Sequence, residues 1–142
     1  MASVDRLMLV ELIEAEKAKL SLGALKLWKG LEASHYFSNE ADHLTNEEFS
    51  SEEADTFLRH QSHQLDILGR FEQMPEDDRG TKNVLIELRM GLNRSDEAES
   101  RGEPAHLYRD KSVINASIMK DRAERGPEGS MRVEDLTGRT VS

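Results

Sequence analysis

The sequence predicts an all-α fold: about four helices, the first of them long, in an irregular or elongated bundle with an extended C-terminal tail. Two observations carry that prediction. No segment alternates polar and apolar residues with the β-branched enrichment that a half-buried strand needs. Apolar residues instead recur at helical spacing between capping residues, prolines and glycines that start and stop helices. Size adds a third: 142 residues suffice for one buried core. The expected organisation is a helical domain over 1–125 and a tail over 126–142.

The first helix is expected from about Val4 to about His35. At 1.5 Å per residue it would be about 48 Å long, against a diameter of roughly 37 Å for a compact chain of this length. It must therefore overhang, bend or break. Gly23 and Gly30, each about 1 kcal/mol worse than Ala inside a helix, are the expected places. The alternative is two shorter helices divided near Ser21-Leu22-Gly23. Ser38 to Asn46 reads as a polar connection. Thr45-x-x-Glu48 and Ser50-x-x-Glu53 are capping boxes, in which the hydroxyl accepts a first-turn N–H and the Glu reaches back. Either opens the second helix, which continues to about Gln73 and stops before Pro75. Glu76-Asp77-Asp78-Arg79-Gly80 reads as a turn. The third helix spans roughly Thr81 to Ser100, with Gly102 suited to the left-handed residue that closes it. Pro104 opens the fourth, which is expected to end before Gly126-Pro127. Residues 126–142 hold three glycines, a proline and few apolar anchors, and read as a tail ordered only against a partner.

Projection at about 100° per residue assigns faces to these helices. The second helix has one: Ala54, Phe57, Leu58, Leu65 and Leu68, joined by Gln61. The third sets Val84, Leu85, Leu88 and Leu92 on one side, with Ile86 and Met90 nearly opposite. The fourth has a small-residue face (Ala105, Tyr108, Ser112, Ala116, Met119, Ala123) and a second stripe of Leu107, Ile114 and Ile118 behind it. The first has Leu20, Ala24, Leu27, Trp28 and Leu31 on one side and Ala18, Leu22 and Leu25 on the other; its start, Leu7 to Ile13, is apolar nearly all round. Second stripes on three of four helices exceed what a small bundle can sandwich, so they are expected to meet other chains.

Composition removes several function classes. With no cysteine the chain has no disulfide scaffold, thiol nucleophile or zinc ribbon. Its 19 basic and 28 acidic residues give a net charge of −9, which opposes general binding to nucleic acid or anionic lipid. No apolar run approaches the roughly 20 residues of a membrane span, and no signal peptide is recognisable, so the expected location is intracellular or inside a macromolecular assembly. Charge is uneven: between Ser38 and Phe57 stand seven acids and no Lys or Arg.

Motifs for chemistry are sparse. Glu-x-x-His occurs at Glu32/His35, Glu40/His43 and Glu103/His106, a spacing that turns both side chains one way on a helix, as di-iron bundles do. All three lie at helix ends or in connections, away from mid-bundle depth. His60-x-x-His63 projects to the surface of the second helix with no third ligand placed beside it. No GxSxG motif is present, and no phosphate-cradling glycine loop either. Basic residues Arg101, Arg109, Lys111, Lys120, Arg122 and Arg125 interleave with Asp110, Asp121 and Glu124, which suits an ion-paired helix better than a DNA-reading one. The expectation is therefore a non-enzymatic helical assembly or adaptor protein without cofactor, a structural subunit of a larger complex such as a virus or phage particle. It would bind copies of itself or other proteins through Ala18, Leu22, Leu25, Ile86, Met90, Leu107, Ile114 and Ile118. The alternatives are a metal-binding bundle using Glu32, His35, Glu40 and His43, and an acidic regulator of a basic partner protein.

Overall fold

The computed structural model of the chain describes residues 3–37 and 50–129, with side chains through Ala123. Among the described residues there are five helices and no strand: α1 (Arg6–Lys17), α2 (Leu22–Ala33), α3 (Ser51–Phe71), α4 (Glu76–Ser100) and α5 (His106–Gly129).

The long first helix is two helices. The Asp5 carboxylate caps α1 by accepting the Met8 N–H at 2.8 Å. The chain then tightens at its end, with Lys19 N–H donating to the Glu16 carbonyl and Leu20 N–H to that of Lys17. Ser21 is extended (φ −62°, ψ 164°) and caps α2 through the Ala24 N–H. The break thus falls over Ala18–Ser21, and neither Gly23 nor Gly30, both inside α2, provides it. Its physical cause lies far along the chain: the buried Asp78 carboxylate accepts both the Ser21 N–H at 2.9 Å and the Ser21 hydroxyl at 2.7 Å. In a continuous helix that N–H would be committed to the Lys17 carbonyl.

Asp78 sits where a turn was expected. Residues 76–80 instead form the first turn of α4, behind Pro75 at the N-cap, and Glu76, Asp77 and Asp78 place negative charge at the positive end of the helix dipole. Ser50 opens α3 by accepting the Glu53 N–H at 3.1 Å; Thr45 lies outside the described residues. Gly102, at φ +72°, closes α4 as expected, and the Glu103 N–H returns to the Ala98 carbonyl. The last helix begins at His106, two residues after Pro104, and runs through Gly126 and Pro127 to Gly129, past its expected end. A proline in a final turn forfeits one backbone donor and interrupts no later turn. Of the expected tail, residues 130–142 lie outside the described residues.

Three helices form a bundle in which each touches the other two. Arg6 on α1 grips Asp96 near the end of α4 (2.9 and 3.1 Å), so these two run antiparallel. Helices α4 and α5 form an antiparallel hairpin, with Glu87 beside Asn115 at 2.9 Å and Gly91 beside Ser112. Consequently α1 and α5 run parallel, joined at Val4–Asp110 and at Glu16–Lys120. The antiparallel pair α2–α3 packs alongside, Gly30 facing Ile67 and Ser34 facing His60 and Gln64. One apolar core joins both groups, from Leu9 and Ile13 through Trp28, Leu31 and Phe71 to Leu85, Leu88 and Ala116.

Helix α3 is turned differently from its projection. It buries Ile67 and Phe71, with His60 and Gln64 half-buried on the same side, while Leu58, Gln61 and Leu65 are exposed. The rotation is about a quarter turn. Two contacts on α2 select it: Gly30 admits the Ile67 side chain so closely that an added Cβ would lie 2.9 Å from its Cδ1, and the free Ser34 carbonyl accepts hydrogen bonds from α3.

Candidate functional site

Helix α5 carries an aligned stripe of exposed apolar side chains. Its small residues Ser112 and Ala116 are buried against α4, where Gly91 leaves no room for a Cβ beside Ser112. The Ser112 hydroxyl is satisfied within its own helix by the Arg109 carbonyl at 3.0 Å. The start of the chain fixes the rotation of α5: Val4 N–H donates to Asp110 at 2.8 Å and its carbonyl accepts from Arg109 Nε at 2.7 Å. The opposite face is thereby turned outward, leaving Leu107, Ile114 and Ile118 58%, 55% and 45% exposed. At 100° per residue, Asp110 and Asp121 line one edge of that stripe and Lys111 and Arg122 the other.

The other residues expected at an interface divide into two groups. Ala18 and Leu22 lie at the α1–α2 joint and are exposed, Leu22 at 86%. Leu25, Ile86 and Met90 are partly buried and pack against the chain's own core, so the structure does not bring them together with the α5 stripe. Sequence reasoning also misplaced exposed groups: Tyr108 and Met119, expected on the small-residue face of α5, are 37% and 36% exposed. Leu58 and Leu65 stand two turns apart on the outer side of α3, although they had been assigned to its core face. Leu7, Met8 and Leu12 are exposed on α1. Because α1 and α5 run parallel with Val4 level with Asp110, Met8 and Leu12 lie level with residues 113–117 of α5.

Charged groups elsewhere are largely compensated within the chain. Glu16, buried between α1 and α5, accepts from Lys120 at 2.7 Å and Lys19 at 2.9 Å. Burial alone would push its carboxyl up, but the hydrogen bonds from Lys120 and Lys19 outweigh this and hold it below the usual carboxylate range. This cluster lines a groove of about 710 Å³ with Arg79 and the first turn of α4, whose signs are mixed. Arg101 is held by Glu97 and Glu103, and Arg109 by Val4, which removes two cations from the basic run.

The Glu-x-x-His residues are not assembled. Glu32 pairs with Lys17 at 3.5 Å, His35 lies beyond the end of α2, and Glu40 and His43 lie outside the described residues. Among the described residues, no three His, Asp or Glu side chains converge as a metal site. His60, expected on the surface, is half-buried and bonded to Ser34, whereas His63 is exposed. Of the acidic run, Glu52 and Glu53 occupy the first turn of α3, where the helix dipole accounts for them. Among the described residues no helix is long and apolar enough to cross a membrane. Set against known protein families, curated proteins and solved structures, the chain matches none.

Proposed function

We propose that this chain is a non-enzymatic helical assembly or adaptor subunit that docks protein on the outer face of α5. One observation supports the reading above the rest: Leu107, Ile114 and Ile118 line up on the side of α5 opposite its packed face, each about half exposed. Scattered surface leucines are normal, but aligned branched side chains on a helix with a separate buried face are the pattern of a contact surface. The edges of the stripe favour a second copy as occupant. Two α5 helices set side by side in the same direction bring the Asp110/Asp121 edge of one against the Lys111/Arg122 edge of the other, as flanking charges do in parallel coiled coils.

The test is absolute mass by light scattering behind a sizing column at micromolar concentration, for wild type and the Ile114→Asp, Ile118→Asp double variant. The expected result is a multiple of 16.1 kDa for wild type and a folded monomer for the variant. A wild-type monomer, or an oligomer that the two aspartates leave intact, would remove the outer face of α5 as the self-association surface.

A further inference from the structure

We propose that His35 and His60 form a two-histidine site for a divalent transition-metal ion such as Zn²⁺ at the junction of α2 and α3. His60 extends from α3 with Nδ1 3.2 Å from the Ser34 carbonyl oxygen. A carbonyl only accepts, so Nδ1 carries the hydrogen, and in the neutral ring Nε2 then holds the free lone pair. Metal-binding imidazoles are usually held in this way, one ring nitrogen donating to a carbonyl or carboxylate and the other facing the ion. Gln64 Nε2 donates to the same oxygen at 2.7 Å, which fixes the acceptor in turn.

The second ring is at a suitable separation. The His35 and His60 ring centroids are 5.9 Å apart, with the planes at 46°. For Zn–N bonds of about 2.0–2.1 Å, two imidazoles on one tetrahedral ion have centroids roughly 5–6 Å apart. His35 also occupies a position that sequence preference gives to glycine. It follows α2 with φ +63°, while the Tyr36 N–H returns to the Leu31 carbonyl and closes the helix. Left-handed residues commonly close helices, and histidine is less usual there than Gly or Asn. Here the closing residue sets its imidazole against another imidazole.

Among the described residues two side chains supply ligands, and a site with two protein ligands is exchangeable, whereas structural zinc takes four. His63 and Arg59 line the neighbouring cleft with His60. Arg59 Nε donates to the Asp55 carbonyl at 3.4 Å along its own helix, and His63 serves as the control.

The experiment is a titration of the full chain, without an affinity tag, with Zn²⁺ in a non-chelating buffer, followed by calorimetry. The expected result is one equivalent bound. Loss of a ligand weakens binding at least as much as loss of its supporting hydrogen bond, so His60→Ala and His35→Asn each lower affinity roughly tenfold or more, and His63→Ala leaves it unchanged. Asparagine is used at 35 because it accepts the left-handed backbone. A parallel Ni²⁺ titration of the wild-type chain by NMR needs no variant, and should broaden the His35 and His60 ring signals first. No saturable binding, binding that survives both substitutions, or broadening centred on other histidines would overturn the proposal.

Discussion

Gly91 and Gly69 both sit inside helices, yet the structure gives the same substitution opposite signs at the two positions. At Gly91 a Cβ would fall within the Ser112 side chain, at the closest approach of α4 and α5. At Gly69 nothing lies within 4 Å of an added Cβ, so only the helical preference of the residue is at stake. Gly91→Ala is expected to destabilise the fold by about 1–3 kcal/mol through overpacking. Gly69→Ala is expected to stabilise it by about 0.5–1 kcal/mol. Urea unfolding of both variants checks the pair, and equal signs would mean that the α4–α5 contact is looser than described. Gly91 is also why the small face of α5 points inward. A hairpin this close requires Ser112 and Ala116 at the seam, which leaves the bulky Leu107, Ile114 and Ile118 for the outside.

Among the elements, the joint between α1 and α2 shows what a single carboxylate can decide. Asp78 takes the Ser21 N–H and hydroxyl, and so sets both the end of one helix and the start of the next. Removing it in Asp78→Ala is expected to cost about 1–3 kcal/mol, because buried polar groups lose their partners. Ser21→Ala loses the cap of α2 and is expected to cost about 0.5–2 kcal/mol. Since the two residues act on one joint, the double variant should cost clearly less than the sum, which a double-mutant cycle in urea measures. Additive losses would show that the contact is not shared.

This joint also shows where sequence reading stops. Val84, Leu85, Leu88 and Leu92, the Ser50 cap and the glycine closure at Gly102 were all legible, because each depends on its own few neighbours. The α1–α2 break was visible only as an alternative, since its cause is 57 residues away. Three acids behind Pro75 were a signal for the start of α4, outweighed by Gly80. The turn of α3 was not legible: Leu58 and Leu65 have the spacing of a core stripe, and only Gly30 and the Ser34 carbonyl on α2 favour Ile67 and His60 instead. For the same reason the outer stripe of α5 could be read from local spacing, whereas the His35–His60 approach could not.

For the molecule as a whole, the clearest response to conditions runs through Glu16. Its folded carboxyl sits below the usual range because Lys120 and Lys19 bind the charged form more than burial penalises it. The unfolded chain, with a Glu near its ordinary value of about 4.3, therefore binds protons more readily. The contribution is complete above that value and is lost as pH falls through the lower folded one. Glu16→Gln is expected to melt at a lower temperature than wild type at pH 7, with the gap narrowing toward pH 3. Thermal melts across that range measure it, and a gap that stays constant would mean the carboxylate charge adds nothing.

Val4 is held by Asp110 and Arg109, more than a hundred residues later in the chain. On a ribosome, α2 and α3 can pair early, because their contacts are comparatively local. Helix α1, by contrast, has no α5 to settle beside until the last helix has left the exit tunnel. Until then the face of α4 that α5 covers stays open to chaperones and proteases, as is usual for contacts that close over long separations. A chain released after Ser100 should therefore be degraded faster than one released after Gly129.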